Sequence, residues 1–461
     1  MSKILDTFAE ALNGKEKKYT SGSINRAIVL LSIPMILEMV MESLFAVADV
    51  FFVSRVSVDA VATVGLTESV VTLVYAIAVG MSMAATAMVA RRVGEEKPEQ
   101  AAVAAAQSML IGLGISVATG IPGIIFAEDI LRLMGGSEEL IANGVGYTRI
   151  LLGSNVVIML LFLLNGIFRG AGDAAIAMRS LWLANLINIA LDPLFIFGLG
   201  PFPEMGVQGA AMATFIGRGA GVLYQLYILF GKSGVIQLRW EHFQVHLRII
   251  RKLGKVASTG AGQFLIGSAS WIFLMRIIAH FGSEAVAGYT IAIRLIIFTI
   301  LPSWGLANAA ATLVGQNLGA GKPERAEKSV WQSAFYNMLF LLSVSIIYFL
   351  FANPILGLFN GEPAVLEAGV LSLRIICAGY VFFAYGMVIS QAFNGAGDTR
   401  TPTIINLFCF WMLEIPVAYF LSIKMEWGLA GVCWAIAGSE TVLAIISILV
   451  FRMGWWKTVE I

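Results

Sequence analysis

Charged residues are scarce in this sequence, and so are histidine and cysteine. Only 13% of the 461 residues are charged, whereas 58% are hydrophobic and the mean hydropathy is +0.84. A soluble globular chain carries about 25% charged residues, so this composition excludes that class. The three histidines and three cysteines lack metal-ligand spacing, and HExxH and GxSxG motifs are absent. A membrane-embedded enzyme is therefore disfavoured, and the net charge of +1 gives no basis for nucleic-acid binding.

Apolar runs of membrane-spanning length occupy nearly the whole chain between Ala27 and Arg452. A helix needs about 20 apolar residues to cross the hydrocarbon core, and twelve such runs are separated by short polar breaks. The runs do not alternate every second residue, as the strands of an outer-membrane barrel would. The sequence therefore predicts an all-α integral membrane protein with twelve transmembrane helices.

Lysine and arginine alternate from loop to loop, and this pattern predicts the orientation in the membrane. The poor side has only Arg55, Arg132 and Lys424. The rich side collects Lys3, Lys15, Lys17, Lys18, Arg26, Arg91, Arg92, Lys97, Lys232, Arg239, Arg248, Arg251, Lys252, Lys255, Lys322, Arg325 and Lys328. By the positive-inside rule, both termini and the loop after the sixth helix are cytoplasmic. The first 26 residues lack the apolar core of a signal peptide, so we expect a multi-pass protein of the cell membrane.

The two halves of the sequence repeat each other. The segment beginning at Asp59 returns 225 residues later at Glu284, and Phe168-x-Gly-Ala-Gly-Asp173 returns at Phe393 with the same spacing. Near the end of each half the offset becomes 222 residues, pairing Glu204 with Glu426. Because six helices fit into one repeat, the halves have the same orientation. We predict two six-helix bundles related by a pseudo-twofold axis along the membrane normal.

This organisation predicts five segments along the chain. They are a cytoplasmic N-terminal segment (1–26), an N-terminal lobe (27–230), a cytoplasmic linker (231–255), a C-terminal lobe (256–451) and a cytoplasmic tail (452–461). The internal cavity is expected between the two lobes, because both lobes present equivalent faces to the common axis.

Four motifs resemble those of the multidrug and toxic compound extrusion (MATE) transporters, and the resemblance covers essentially the full chain. They are Pro34 through Asp49 in the first helix, Asn188-x-x-Leu-Asp-Pro193 in the fifth, Gly209-Ala-Ala-x-Ala-Thr214 in the sixth and Val314-Gly-Gln-Asn-Leu-Gly319 after the eighth. The resemblance implies two bundles around a V-shaped cavity. It also implies export of organic cations or other amphiphiles, driven by inward flow of Na⁺ or H⁺.

Within that family the chain resembles the prokaryotic branch with coupling acids in the N-terminal lobe, the DNA-damage-inducible-protein-like transporters. Another branch carries an acid in the seventh helix near the position of Gly267, and this sequence has no carboxylate in that helix. The alternative within transport is a flippase of related fold for a lipid-linked substrate, which we expect to line its cavity with cations. A monomer without a cofactor is expected, and the choice between Na⁺ and H⁺ stays open.

Three acids of the first helix share one face. Glu38, Glu42 and Asp49 are spaced by four and seven residues, which at about 100° per residue keeps them within roughly 40° of each other. A charge at mid-bilayer costs at least about 2.5 kcal/mol, so this stripe must face the bundle interior or water. Its counterparts in the second half are uncharged: Gln263, Gly267 and Leu274. The alternative to a functional role is that Arg218 neutralises these acids or that they remain protonated.

The fifth helix supplies a second group of oxygen ligands. Asn188 and Asp192 lie one turn apart on one face, and Pro193 frees a backbone carbonyl one turn earlier. Asp49 and Asp192 lie at a similar depth in the outer half of the membrane. We predict that both acids and Asn188, with the hydroxyl of Thr214, form the cation-coupling site. Such ligands suit Na⁺, whereas two close carboxylates sharing a proton suit H⁺ coupling.

The remaining ionisable residues of the membrane interior receive supporting or structural roles. Glu68 and Glu414 are further candidate acids, and the 222-residue offset aligns Glu414 with Asp192. The arginines are predicted to be structural, because two of them occupy equivalent positions in the repeat and the third can neutralise acids: Arg149, Arg374 and Arg218.

Overall fold

The computed structural model describes residues 2–14, 18–231 and 234–461 of the chain. Three lysines that contributed to the predicted orientation, Lys15, Lys17 and Lys232, lie outside the described residues. Within those three ranges every regular element is helical. The all-α class predicted from composition and hydropathy is therefore confirmed.

Twelve long helical segments follow one another along the described chain, six in each half. The first half contains α1 (Ile24–Val53), α2 (Val58–Gly94), α3 (Pro98–Ile125), α4 (Glu138–Gly153 and Asn155–Gly170), α5 (Ala174–Ile196) and α6 (Val207–Phe230). The second half contains α7 (Leu247–Ile278), α8 (Ser283–Gly319), α9 (Pro323–Gly357), α10 (Pro363–Ala378 and Tyr380–Ala396), α11 (Arg400–Lys424) and α12 (Gly428–Arg452). A separate helix, Ser2–Asn13, precedes α1, and a short one, Ala127–Leu133, joins α3 to α4.

The length and composition of these helices are suited to crossing a membrane. Among the described residues, 10 helices are long and apolar enough to span it, and the bent α10 raises the number to 11. The remaining helix, α6, has 24 residues and so a length of about 36 Å, but glycines and Arg218 lower its hydropathy. It packs against α5 inside the first bundle, where a polar side chain is shielded from lipid.

The two bundles repeat the same internal packing. α1 packs on α5 and α2 on α4, as α7 packs on α11 and α8 on α10. α4 and α10 are also interrupted at equivalent positions, Ser154 and Gly379, and α10 bends there by 56°. The contacts between bundles have the same symmetry. α1 packs on α8, and α7, the equivalent of α1, packs on α2, the equivalent of α8. These paired contacts are those of a pseudo-twofold axis between lobes with the same orientation.

The lobes meet at the face that carries the Lys and Arg clusters. A Cβ atom added to Gly94 of α2 would lie 2.0 Å from the carbonyl oxygen of Gln316 in α8. At the equivalent glycine of the second lobe, Gly319, it would lie 2.1 Å from the carbonyl oxygen of Arg91. Real Cβ atoms cannot approach so closely, so only glycine allows the two backbones to touch. The repeated Gly94 and Gly319 thereby form a symmetric seal between the lobes.

Segments near both ends of the chain cross this seal. Arg325 of α9 donates hydrogen bonds to the carbonyl oxygens of Tyr19, Ser21 and Gly22, which precede α1. In the opposite direction, Arg91 and Arg92 of α2 donate to the carbonyl oxygens of Val459 and Ile461 at 2.7 and 2.8 Å. Each lobe is therefore tied to a segment that belongs to the other half of the sequence.

The connection between the lobes is shorter than the predicted linker, because α7 already begins at Leu247. Leu253 on its first turns is fully buried, whereas Arg251 is exposed, so this part of α7 is amphipathic. The preceding segment is held on the first lobe by Gln107 of α3, which donates to the carbonyl oxygens of His242 and Gln244 at 3.0 and 2.8 Å.

The glycine seal can be tested with a side chain that does not fit. Gly94→Leu should separate the lobes at this face, because its Cβ would overlap the backbone of Gln316. The reporter is Thr312→Cys, since Thr312 is fully buried at the lobe contact and donates to the carbonyl oxygen of Arg169 at 3.1 Å. We expect much faster maleimide labelling of this cysteine in the Gly94→Leu background.

The matched control for this experiment is Gly114→Leu. A Cβ atom at Gly114 of α3 meets nothing within 4 Å, so the same substitution should leave labelling unchanged. Equal labelling rates in the Gly94→Leu and Gly114→Leu proteins would show that the close approach at Gly94 does not hold the lobes together.

Candidate functional site

Glu38 points into the first lobe and is tied to a neighbouring helix. Its side chain is 1% exposed, and Oε1 accepts hydrogen bonds from Asn165 Nδ2 at 3.0 Å and from Arg169 Nη1 at 3.4 Å, both on α4. Arg169 also donates to Ser82 Oγ of α2 at 3.0 Å. Glu38 Oε2 has no partner in the described chain. The buried carboxylate is thus paired with a cation, while one of its oxygens remains unsatisfied.

Glu42, one turn along α1, forms a second ion pair. Its Oε1 accepts from Arg218 Nη2 of α6 at 3.1 Å, and its Oε2 accepts from Asn185 Nδ2 of α5 at 3.1 Å. Arg218 is 1% exposed and its guanidinium lies 5.2 Å from the ring centre of Phe45. Neutralisation by Arg218, the alternative considered from the sequence, therefore applies to Glu42.

Asp49 and Asp192 differ from these two acids, because neither carboxylate is in direct contact with a cationic side chain among the described residues. Asp192 is fully buried, and neither of its carboxylate oxygens has a hydrogen-bond partner in the described chain. Asp49 is 8% exposed and lies within electrostatic range of Asp192. The structure therefore brings together the two acids that the sequence placed at one depth. It also leaves four carboxylate oxygens without a bonded cation.

Asn188 and Thr214 complete this oxygen-rich region. Asn188 Nδ2 donates to Thr214 Oγ1 at 3.1 Å, which directs the amide oxygen of Asn188 away from the threonine. That oxygen is buried and has no partner within the described residues. No group of three or more His, Cys, Asp or Glu side chains is placed to hold a metal ion in the part of the chain that the structure describes. A cation held at Asp49 and Asp192 would therefore complete its shell with amide, hydroxyl and carbonyl oxygens.

The two supporting acids lie in different surroundings. Glu68 of α2 is exposed and lies within electrostatic range of Asp49, so it adjoins the acidic region. Glu414 of α11 is 4% exposed and accepts a hydrogen bond from Ser439 Oγ of α12 at 3.0 Å. The structure therefore separates Glu414 from the first-lobe acids and places it inside the second lobe.

Arg149 and Arg374 occupy equivalent positions in the repeat, but their contacts differ. Arg374 donates from Nε to the carbonyl oxygen of Phe349 at 3.1 Å, and its guanidinium lies 5.3 Å from the ring centre of the same residue. These contacts join α10 to α9. Arg149 is exposed, and no contact within the described chain supports the structural role predicted for it.

Asn165 and Arg169 are not among the predicted site residues, although the repeat carries a signal that identifies Arg169. At the 225-residue offset the counterpart of Arg169 is Asn394, so a charge of the first half is replaced by an amide in the second. The same asymmetry singled out the acids of α1. Arg169 was overlooked because it lies inside the repeated segment that begins at Phe168 and was treated as architectural.

A cavity of about 290 Å³ lies between the lobes on the inner side of the glycine seal. The first lobe contributes Glu38, Glu42 and Arg169 to its wall, and the second lobe contributes Trp304 and Asn394. Most of the other lining residues are apolar, including several methionines and aromatic residues. Such a wall is suited to amphiphilic molecules, since methionine and aromatic side chains adapt to different ligand shapes.

The repeat, the two lobes and the interlobe cavity agree with a family model. The model of the MatE family matches residues 34–194 and 261–420, together more than half of the chain. The chain belongs to the MatE family. Members of this family are transporters, so this MatE protein is a transporter and not an enzyme, as predicted.

Full-length relatives and solved structures agree with this assignment. The probable multidrug resistance protein NorM of Thermotoga maritima is 28% identical over 94% of this chain and 93% of the relative. A FAD transporter of Shewanella oneidensis is 27% identical over 86% of this chain and 88% of the relative. A crystal structure of MATE in complex with MaL6 has a TM-score of 0.89, with 29% identity and coverage of 96% and 97%. The predicted two-lobe fold with twelve helices is confirmed.

The buried ion pair of this MatE protein can be tested by removing its cation. Arg169→Gln leaves Glu38 without a charged partner at a site that is 1% exposed. Breaking a buried pair from one side costs about 3 to 5 kcal/mol, so the melting temperature in detergent should fall clearly. The double variant Glu38→Gln, Arg169→Gln should recover part of this loss, because no lone charge remains.

The control is an exposed arginine that also contacts carboxylates. Arg132 lies in the connection between α3 and α4, is 48% exposed, and pairs with Glu128 and Glu138. Exposed pairs contribute about 0 to 1 kcal/mol, so Arg132→Gln should hardly change the melting temperature. If Arg169→Gln were as mild as Arg132→Gln, the Glu38 pair would not matter for stability.

Proposed function

We propose that this MatE protein is a secondary active exporter in which inward movement of Na⁺ or H⁺ through the first lobe drives efflux of small amphiphilic or cationic organic compounds. The observation that carries the proposal is the pair Asp49 and Asp192, whose carboxylates lie within electrostatic range of each other and have no bonded cation among the described residues. Unpaired acids are costly in a membrane interior, and they are retained where an ion or proton must bind and leave.

The supporting comparison is with the other acids of the same helix. Glu38 and Glu42 each have an arginine in contact, so their charge is balanced within the protein. Within the described part of the chain the carboxylates of Asp49 and Asp192 have no such contact, so a transported cation can balance their charge. We assign Asp49, Asp192, Asn188 and Thr214 to the coupling site and Glu68 to its entrance. Oxygen ligands from three helices are suited to Na⁺, and a shared proton on the two acids is the alternative.

The same proposal includes alternating access in the cell membrane, with both termini in the cytoplasm. The glycine seal lies on the face with the Lys and Arg clusters, which the positive-inside rule makes cytoplasmic. This conformation is then closed toward the cytoplasm, as required for cation entry and release of the compound outside. Separation of Gly94 and Gly319 from the backbones that they contact would open the cavity toward the cytoplasm, which is the opposite state of the transport cycle.

The charges on the cavity wall favour cationic over anionic substrates. Arg169, a cation on that wall, is already paired with Glu38. A flippase for phosphate-bearing lipids would need free cations to bind its substrate. One relative is named a FAD transporter, and FAD is an anion. The paired arginine therefore makes both alternatives weaker for this chain than export of cations and neutral amphiphiles.

Transport in proteoliposomes tests the coupling site. The wild type should export ethidium or norfloxacin when given a Na⁺ gradient alone or a pH gradient alone, and the effective gradient identifies the ion. Asp49→Asn and Asp192→Asn should abolish gradient-driven export, because neither amide can balance the charge of a cation or exchange a proton. Binding of one ligand typically changes the affinity for a coupled ligand about 5- to 150-fold. In the wild type the coupling ion should change drug affinity in this way, and both variants should lose this dependence.

The control variant is Asp129→Asn, since Asp129 is an exposed acid of the connection between α3 and α4. It should transport like the wild type, and all variants should reach the membrane in equal amounts. Gradient-driven export that persists in the Asp49→Asn, Asp192→Asn double variant would refute the assignment.

A further inference from the structure

The second lobe contains its own chamber, and its walls differ from those of the first-lobe site. It measures about 310 Å³ and lies among α7, α8, α10, α11 and α12. Aromatic side chains form much of the wall: Phe264, Trp271, Trp304, Phe383 and Phe410. Glu440 of α12 is the only ionisable residue among the described residues that line it. Several lining residues, including Phe264 and Trp304, also line the interlobe cavity, so the two spaces adjoin.

Two polar groups of this chamber have nothing to bind in the described chain. Glu440 makes no hydrogen bond or ion pair there, although its carboxylate lies inside a membrane-spanning helix. Gln263 of α7 is 9% exposed, and its side-chain oxygen is buried without a partner. Both groups accept hydrogen bonds or attract positive charge, and the lining has no Lys, Arg or His to satisfy them. A positively charged ligand would be attracted to both oxygens, and one that carries an N–H group would also donate a hydrogen bond to them.

The repeat explains how the chamber arose. At the 225-residue offset Gly267 takes the place of Glu42, and at the 222-residue offset Glu440 takes the place of Arg218. In the first lobe the equivalent positions hold the ion pair of Glu42 and Arg218 at 3.1 Å, and Glu42 lies on the wall of the interlobe cavity. In the second lobe a glycine leaves the space open, since a Cβ at Gly267 would meet only Phe410, at 4.0 Å. The position that holds an arginine in the first lobe holds a carboxylate in the second, and Glu414 of α11 lies within electrostatic range of it.

The backbone of α11 is also specialised at this point. It is π-helical over Leu407–Glu414, whereas the equivalent helix of the first lobe, α5, is α-helical over Ala174–Ile196. π-helical turns insert a residue and frequently occur at functional sites. Here the turn carries Phe410 into the chamber wall, and the neighbouring Trp411 donates from Nε1 to the carbonyl oxygen of Ile266 at 3.0 Å.

From these observations we infer that the second-lobe chamber binds the cationic group of the exported compound, with Glu440 as counter-ion and the tryptophan and phenylalanine side chains as an aromatic cage. The ligand class is an aromatic or quaternary organic cation, because aromatic faces attract such cations and the carboxylate balances their charge. This inference rests on the proposed export of organic cations. It assigns ion coupling to the first lobe and recognition of the cation to the second.

Equilibrium binding to the purified full-length protein tests the inference without requiring transport. The probes are tetraphenylphosphonium and tetraphenylborate, two ions of nearly the same shape and opposite charge. Glu440→Gln should weaken tetraphenylphosphonium binding about tenfold or more, because the counter-ion is lost. It should leave tetraphenylborate binding unchanged or stronger. Glu367→Gln, an exposed acid of α10, is the matched control and should alter neither affinity.

A second variant tests the space rather than the charge. Gly267→Leu restores a side chain where Glu42 stands in the first lobe, and it should block tetraphenylphosphonium by filling the chamber. Both variants must retain the wild-type melting temperature and elution profile for the comparison. Unchanged phosphonium affinity in Glu440→Gln and Gly267→Leu would overturn the inference, and so would an equal loss of both ions in Glu440→Gln.

Different experimental results would contradict the inference and the proposed function. If phosphonium binding depends on Glu440 but no gradient drives its export, the proposed antiport is wrong and the binding site stands. If export depends on Asp49 and Asp192 while Glu440→Gln binds phosphonium like the wild type, the antiport stands and the second-lobe site is wrong.

Discussion

A carboxylate within the membrane must be given a partner, and this constraint shapes the interior of both lobes. Glu38 and Glu42 on α1 each contact an arginine from another helix of the same bundle, at 3.4 and 3.1 Å. These pairs connect α1 to α4 and α6 and balance the charges of Glu38, Glu42 and Arg169 on the cavity wall. Asp49, Asp192 and Glu440 differ from these two acids because they have no bonded cation among the described residues. In the proposed mechanism a mobile ion or an organic cation is the partner of these acids.

Duplication lets one architecture satisfy this constraint in two ways. The glycine seal at Gly94 and Gly319 is the same in both halves, because closure of the lobes needs the same backbone approach on each side of the axis. The polar interiors are different. Where the first lobe has the ion pair of Glu42 and Arg218, the second has Gly267 and Glu440. Gly267 and Glu440 both line the second-lobe chamber. Shared backbone geometry with divergent side chains allows the lobes to take different tasks.

This division suggests how ion and substrate sites communicate. The second-lobe chamber adjoins the interlobe cavity, whose wall includes Glu38, Arg169 and Trp304. Asp49 of the proposed coupling site lies on α1, the same helix that places Glu38 and Glu42 on this wall. A ligand shifts a two-state equilibrium only if it binds the two states differently. Both sites touch helices that form the lobe contact, α1 and α2 on one side and α7 and α8 on the other. Occupancy of either site can therefore bias the closure of the same interface.

The sequence determined the class of protein, the twelve helices, the repeat and the face on which Glu38, Glu42 and Asp49 lie. These features depend on hydropathy, on helical periodicity and on the cost of charge in lipid, all of which are local properties of the chain. The partners of those acids were decided by tertiary structure. Arg169 is distant from Glu38 in sequence, and only the packing of α4 on α2 and α5, together with the packing of α1 on α5, brings it within 3.4 Å. The second-lobe chamber was also hidden, because an open space depends on what neighbouring helices leave unfilled, and no single segment encodes it.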